Sequence, residues 1–184
     1  MNHARDYSAS DVLKDGTRVT IRAVRPGDRN RFLAAFRLLE KDSIYTRFFS
    51  HRNDLSDAEI DRAVNVDFVR EVALVVTTET VRGEIIIASG RYLASDGPSA
   101  ERSAELAFVV EEDYQGRGIA SRLLAHLAVL ARRQNITQFE ADVLSQNRAM
   151  LAVFKRSGFS MQQRRDGGVI HVTLALATAN SGAA

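Results

Sequence analysis

The sequence predicts a mixed α/β domain of the α+β type, with one central, mostly antiparallel sheet of about seven strands flanked by four helices. The first observation behind this prediction is the order of the patterns: strand, two helices, three strands, helix, strand, helix, two strands. The second is length, because 184 residues without a repeat or linker fit one domain of roughly 150 residues. We expect the domain to span 11–176, between a frayed tail at 1–10 and a small, polar tail at 177–184.

The composition excludes several classes of function. Lys and Arg number 25 against 23 Asp and Glu, and this balance predicts neither a nucleic-acid nor a membrane surface. Cysteine is absent and the four histidines are far apart, so we expect no disulfide, no thiolate chemistry and no metal site. The N-terminus lacks the pattern of a signal peptide, and no apolar run approaches the roughly 20 residues that cross a bilayer. We therefore expect a cytoplasmic protein.

The N-terminal half contains the first strand, two helices and three further strands. Alternation from Thr17 to Ala23 predicts a half-buried strand, and Asp28 is expected to cap the helix that follows. Ser56 and Glu59 form a capping box for a second helix, which should run to about Val64. Three β-rich runs come next, the first two joined as a hairpin at Gly83 and the third preceded by a loop at 96–98: 72–76, 84–88 and 104–110.

The C-terminal half carries the most regular helix pattern. After Gly118, apolar residues recur at spacings of four, four and three, at Ile119, Leu123, Leu127 and Leu130. A strand at 139–144 leads to Asn147, which is expected to cap a last helix that ends at Gly158. Asp166-Gly167-Gly168 then predicts a hairpin between strands at 161–165 and 170–176.

The segment Gln115-Gly116-Arg117-Gly118-Ile119-Ala120 lies between a strand and a helix. Successive backbone N–H groups at such a place bind anions, and a diphosphate fits them. A Walker-type loop would need a lysine, which is absent between Lys41 and Lys155, and a dinucleotide fingerprint would need glycine or alanine where Ser121 stands. A glycine turn that only connects strand to helix remains the third alternative.

Together with the strand 105–110 before it and the helix after it, this loop resembles the coenzyme-A-binding signature of the GCN5-related N-acetyltransferases, Gln/Arg-x-x-Gly-x-Gly/Ala. Asn147 matches the family's second signature, an asparagine that opens a helix, and the resemblance covers about 17–176. The segments 14–22, 25–28 and 43–49 resemble the acetyltransferase domain of bacterial protein lysine acetyltransferases. In those proteins the domain is usually fused to a cyclic-nucleotide-binding or acyl-CoA-synthetase-like region, and in 184 residues we expect neither.

The resemblance implies that acetyl-CoA lies where strand 104–110 splays from strand 139–144. It implies that the backbone of Phe108, Val109 and Val110 pairs with the pantetheine arm, with the N–H of Val109 or Val110 holding the oxyanion. Backbone N–H groups from Gly116 to Ser121 would hold the pyrophosphate, leaving side chains 117, 119 and 121 free to vary. The implied cofactor-binding set includes Gln115 and Asn147 in addition to the loop residues Gly116, Arg117, Gly118, Ile119, Ala120 and Ser121.

The same resemblance implies that Glu105 is the general base, with Glu84, Glu101 and Asp142 in reserve. Phe154 occupies the position at which many relatives carry a tyrosine that protonates the departing thiolate. Tyr45, Arg47 and Phe48 would flank the acceptor cleft, although packing is the commoner use of such a cluster. Arg117, Arg122 and Arg148 would reach the cofactor phosphates or remain solvated.

Three hypotheses follow for the activity. The first is acetyl transfer from acetyl-CoA to a protein lysine, the second is transfer to a small amine such as a polyamine, amino acid or antibiotic, and the third is a non-catalytic acyl-CoA sensor. The expected partners are acetyl-CoA and an amine acceptor, and a homodimer is considered as the assembly.

Overall fold

A computed structural model describes residues 4–39, 55–95 and 102–176. The described strands, numbered in chain order, are β1 Ser8–Val12, β2 Arg18–Ala23, β3 Glu71–Thr80, β4 Gly83–Ala94, β5 Ser103–Val110, β6 Gln138–Leu144, β7 Ser160–Asp166 and β8 Val169–Ala175. The described α-helices are α1 Arg29–Leu38, α2 Asp57–Val64, α3 Ile119–Arg133 and α4 Arg148–Arg156.

The strands form one open sheet in the order β1-β2-β3-β4-β5-β6-β8-β7. Every neighbouring pair is antiparallel except β5 and β6, which are parallel. The predicted mixed α/β class, with a mostly antiparallel sheet and four helices, is therefore confirmed for the described residues. The sheet has eight strands instead of about seven.

The additional strand is β1, and it corrects the predicted frayed tail at 1–10. Ser8–Val12 pairs antiparallel with β2, from Ser8 opposite Arg22 to Val12 opposite Arg18. Ala4, before the strand, is buried. The strand escaped prediction because an edge strand needs few apolar side chains, and Ser-Ala-Ser-Asp-Val shows no period of two. The tail predicted at 177–184 lies outside the described residues.

The local end signals of the helices are largely confirmed. Ser56 accepts the Glu59 N–H while the Glu59 carboxylate accepts the Ser56 N–H, as a capping box requires. Asn147 Oδ1 accepts the Met150 N–H at 3.1 Å, and Gly158 takes a left-handed conformation beyond α4. Asp28 stands at the N-cap position of α1, but its carboxylate makes no cap hydrogen bond there.

The two faces of the sheet are covered by different helices. On one face α3 packs with the even-numbered residues of β5, and its buried side chains include Leu123, Leu124 and Leu127. A Cβ on Gly90 would lie 2.8 Å from Phe108 and 3.2 Å from Leu127, so a glycine in β4 lets these two side chains pack at the sheet surface. On the opposite face α1 and α2 lie over β4 and the odd-numbered residues of β5.

Asp28, whose carboxylate does not cap α1, binds Arg22. The two form a buried ion pair that joins β2 to the start of α1. Arg22 Nη1 and Nη2 lie 2.7 Å and 2.8 Å from the two Asp28 oxygens, and Nη2 also donates to Glu84 at 2.9 Å. Burial alone would raise the pKa of Asp28, but the hydrogen bonds from Arg22 and from the Arg25 N–H outweigh it and hold the pKa below its ordinary value. The network fixes α1 against the β3–β4 hairpin.

We expect Asp28→Asn to lower the free energy of unfolding by about 3 kcal/mol at pH 7, because Arg22 keeps its buried charge without its main partner. A carboxylate with a depressed pKa contributes its stability above the unfolded pKa and loses it as the pH falls through the folded value. The difference between wild type and variant should therefore shrink below about pH 4. Urea unfolding at several pH values measures it.

The matched control is Asp61→Asn, which removes a surface partner of Arg29 at 2.9 Å. An exposed pair of this kind contributes less than about 1 kcal/mol. Equal, small losses in the two variants would contradict the importance of the buried pair.

Candidate functional site

The central opening of the sheet lies between β5 and β6. These strands pair only where Ser103–Glu105 lies beside Gln138–Glu140. Beyond that point β5 stays paired with β4 as far as Val110, and β6 stays paired with β8 as far as Leu144. The edge of β5 from Leu106 to Val110 therefore faces away from β4 without a partner strand, which leaves main-chain groups for an extended ligand. The predicted splay is present, and Phe108, Val109 and Val110 lie along it.

The glycine loop connects the end of β5 to α3. A single 3-10 turn at Glu112–Tyr114 leads into it, and the Gln115 side chain donates to the Val110 carbonyl at 3.1 Å. Gln115 thus ties the loop to the strand end. Gly116 and Gly118 have φ of +73° and +87°, the left-handed region in which side chains are strained, so glycine is required at both positions.

Gly118 is the N-cap of α3, and no side chain of the described residues caps this helix. The first N–H groups, at Ile119, Ala120 and Ser121, consequently have the partial positive charge and free donors that suit a phosphate. Ile119 is 3% exposed and belongs to the core, so the expectation that its side chain is free to vary is wrong. Its contribution to a ligand is restricted to the backbone.

The two arginines of the loop are engaged within the protein. Arg117 donates to the Asp15 carboxylate at 2.5 Å and to the Asp113 carbonyl at 2.6 Å, and it stacks on Tyr114. Arg122 donates to the Asp11 carboxylate at 2.7 Å and to the Val12 carbonyl at 2.8 Å. Both side chains thus contact the β1–β2 hairpin, and their expected reach to phosphates stays a prediction. Arg148 is exposed at the start of α4.

Glu105 lies at the vertex of the splay, on the sheet face opposite α3. Its neighbours in register are Leu93 on β4 and Glu140 on β6, and its side chain is exposed. Among the reserve bases, Glu84 is occupied by Arg22 and Thr77, and Asp142 is hydrogen-bonded to His171. Glu101 lies outside the described residues.

A cavity of about 620 Å³ lies on the same sheet face as Glu105, between α1, α2, β4 and β5. Apolar side chains of both helices line it, together with Ala107 and Val109 of β5. Leu39 and Leu55, which flank the segment containing the predicted cleft residues Tyr45, Arg47 and Phe48, also line it. Those three residues lie outside the described part of the chain.

Glu111 belongs to the wall of this cavity, and it was not among the candidate residues of the sequence analysis. Its Oε2 atom is buried and has no hydrogen-bond partner among the described residues. Burial raises the pKa of Glu111, and the neighbouring carboxylates of Asp113 and Glu112 raise it further. Alternation along β5 could have found it, because 105, 107, 109 and 111 point to one face.

Two further positions that the sequence analysis singled out lie at the start and in the second half of α4. Asn147 caps the helix through its Oδ1, which leaves its amide nitrogen for a ligand. Phe154 is buried in the core with its ring centroid 6.3 Å from that of Phe108. The described residues include no cluster of side chains able to hold a metal ion, and none of their helices is long and apolar enough to span a membrane.

Three comparisons with known proteins agree with this geometry. Residues 38–159 match the family described as the acetyltransferase (GNAT) family. The chain is 35% identical over 158 residues to the acetyltransferase Pat of Mycolicibacterium smegmatis, which covers 86% of this chain and 46% of that protein. The chain thus spans about half the length of that relative.

Two solved structures have similar folds. The GNAT domain of S. lividans PAT is 33% identical with a TM-score of 0.81, covering 91% of this chain and 96% of that domain. The structure of yncA from Salmonella typhimurium with its cofactor acetyl-CoA is 18% identical with a TM-score of 0.68. The match covers 90% of this chain and 98% of that chain, and it shows likeness of fold. Since the family match spans about two thirds of the chain, including β3 to β6 and the glycine loop, the chain belongs to the GNAT family of acetyltransferases, whose acetyl donor is acetyl-CoA.

Proposed function

We propose that this domain transfers the acetyl group of acetyl-CoA to the ε-amine of a protein lysine, with Glu105 as the general base. One arrangement supports the proposal above all. The opening between β5 and β6 has the uncapped N-terminus of α3 at one end and Glu105 at its vertex. A diphosphate at the helix and a pantetheine arm along the free edge of β5 would direct the thioester toward that vertex.

The chemistry requires removal of one proton from the acceptor. A lysine ammonium has a pKa of about 10.4, so the attacking nitrogen must first become neutral. Glu105 accepts this proton directly or through a water molecule, and the neutral nitrogen attacks the thioester carbonyl. The N–H of Val110, which faces the opening, stabilises the oxyanion, the carbon–sulfur bond breaks, and the acetyl group remains on the nitrogen while coenzyme A leaves as its thiolate.

The departing thiolate has no tyrosine to protonate it at position 154. Phe154 is 1% exposed and fills the core, so this position supplies packing and no proton. A thiol of ordinary pKa near 8.5 is acidic enough to leave as the thiolate. We therefore assign no general acid to α4.

Glu111 is our candidate for a second carboxylate on the acceptor side. It lies in the cavity wall two residues beyond Val109, on the same face as Glu105. The cavity lining has apolar walls and more carboxylates than guanidinium groups, which suits an acceptor with an apolar stem and an ammonium group. In this proposal Glu111 attracts the ammonium, and Glu105 takes its proton.

A small-amine acceptor is the second candidate, because the cavity volume of about 620 Å³ lies in the range of metabolite pockets. Competition separates the two classes. We expect a lysine peptide to be acetylated with a higher kcat/KM than free lysine, polyamines or aminoglycosides, measured by coenzyme A release. Preference for any small amine would contradict the protein-lysine assignment, and binding of acetyl-CoA without transfer to any amine would support the sensor hypothesis.

We expect Glu105→Gln to lower kcat by about 10²- to 10⁴-fold, because the amide cannot accept the proton, while the Kd for acetyl-CoA stays within about twofold of wild type. Steady-state kinetics across pH 6–10 and calorimetry measure the two quantities.

The control for that variant is Glu140→Gln, which removes the carboxylate beside Glu105 in register on β6. Its kcat should stay near wild type. If Glu105→Gln keeps the wild-type kcat at every pH, the base assignment is wrong. If Glu140→Gln loses as much kcat as Glu105→Gln, the loss reflects removal of a negative charge and not of a specific base.

The glycine loop is tested by Gly118→Ala. At φ +87° an alanine costs about 1–2 kcal/mol, and its Cβ would lie 2.8 Å from Arg122 Nη1, so the first N–H groups of α3 should shift. We expect the Kd for acetyl-CoA to rise at least about tenfold, the effect of one lost charge-assisted hydrogen bond.

Gly83→Ala is the control, since Gly83 has φ +102° in the β3–β4 turn with no atom within 4 Å of its added Cβ. The Gly83→Ala variant should lose a free energy of unfolding similar to that lost by Gly118→Ala, and its Kd for acetyl-CoA should equal that of wild type. If Gly118→Ala binds acetyl-CoA as tightly as Gly83→Ala, the loop is not the phosphate site.

A further inference from the structure

The β1–β2 hairpin lies against the glycine loop, although about one hundred residues separate them in sequence. Its turn is closed by hydrogen bonds from the Leu13 N–H to the Thr17 carbonyl at 2.8 Å and from the Gly16 N–H to the Leu13 carbonyl at 3.0 Å. Residues of this turn and of β1 contact the loop at Arg117, Gly118 and Arg122. The hairpin is therefore part of the surroundings of the proposed cofactor phosphates.

The hairpin aspartates neutralise the two arginines. Asp15 pairs with Arg117 and Asp11 pairs with Arg122, and backbone carbonyls accept further guanidinium hydrogens of each arginine. The Arg122 side chain also donates to the Gly118 carbonyl at 3.4 Å. Both guanidinium groups thus hold the loop in place with their charge balanced, so neither supplies excess positive charge to a phosphate.

Lys14 is a further cation of the hairpin turn, and it takes part in neither of these two ion pairs. A Cβ placed on Gly118 would lie 3.3 Å from Lys14 Cε and 3.9 Å from Cδ, so the lysine stem passes directly beside the N-cap of α3. The side chain is exposed, and the described residues include no carboxylate paired with it. Its ammonium is one bond beyond Cε, so it is within reach of an anion bound at the start of the helix.

We propose that Lys14 binds the cofactor, with its ammonium paired to a phosphate group of acetyl-CoA. This inference depends on the proposed function, because that function places the cofactor phosphates at the start of α3. A lysine suits the role, since its ammonium is a compact charge on a flexible stem that can follow a phosphate without a fixed geometry. The phosphate is either the diphosphate or the 3′-phosphate of the ribose, and both share this recognition chemistry.

The experiment compares the Kd for coenzyme A of the full chain and of Lys14→Met, Lys14→Arg and Lys155→Met by calorimetry. We expect Lys14→Met to raise the Kd about tenfold, as the loss of a charge-assisted contact would, and Lys14→Arg to stay near wild type. Lys155→Met removes the same charge from the exposed end of α4 and should leave the Kd unchanged. Because electrostatic attraction is screened by salt, the ratio of Kd between Lys14→Met and wild type should shrink as ionic strength rises.

The same titrations with 3′-dephospho-coenzyme A identify the phosphate. If the ratio of Kd between Lys14→Met and wild type is the same for both ligands, Lys14 binds the diphosphate. If that ratio is near one for 3′-dephospho-coenzyme A, Lys14 binds the 3′-phosphate. If Lys14→Met and Lys155→Met bind coenzyme A alike, the inference is overturned while the proposed function stands. If the wild type itself binds no coenzyme A, the proposed function fails. Circular dichroism and thermal unfolding confirm that the exposed substitutions leave the fold intact.

Discussion

The site depends on the early end of one parallel strand pair. β5 and β6 share only three residues each in register, whereas β5 runs beside β4, and β6 beside β8, for seven residues each. Each strand is thus held by an antiparallel neighbour on its outer side, and separating the inner edges sacrifices few hydrogen bonds. Sheet twist rotates neighbouring strands relative to one another and favours the divergence. A ligand that adds main-chain-like hydrogen bonds to the free edge of β5 completes a sheet that the protein leaves open.

A second constraint fixes the acceptor side independently of the opening. The buried pair of Arg22 and Asp28 locks the start of α1 to β2, and Glu84 extends the lock to β4. Since α1 and α2 form the outer wall of the cavity, this network sets the distance between that wall and the sheet. A buried charge is tolerated when an oppositely charged partner binds it with good geometry, and an unpaired buried charge is strongly destabilising. A movement of the wall that separated Arg22 from Asp28 is therefore unfavourable. The opening proposed for the cofactor and the wall proposed for the acceptor are therefore positioned by different interactions within one sheet.

Local sequence signals were sufficient where a residue acts within its own element. The capping box at Ser56, the period of α3 and the cap at Asn147 each involve residues within a few positions of one another, and each was predicted. Prediction failed where partners are distant in sequence. The strand at Ser8–Val12 is defined by its pairing with β2, the role of Asp28 by Arg22, and the engagement of Arg117 and Arg122 by a hairpin about one hundred residues away. Glu111 belongs to no motif; alternation along β5 gives its face, and the cavity shows what that face lines.

The neutralised arginines change how the anion site at α3 should be understood. A guanidinium that is free to reach a phosphate must be ordered when the ligand binds, and this ordering costs side-chain entropy. Here Arg117 and Arg122 are already ordered by Asp15 and Asp11, and they hold the loop in the strained conformation that Gly116 and Gly118 permit. In the proposed site, oriented backbone N–H groups, which are fixed before binding, would then attract the diphosphate together with Lys14. In that proposal the hairpin favours binding by removing freedom from the loop, in addition to the contact that Lys14 makes with the ligand.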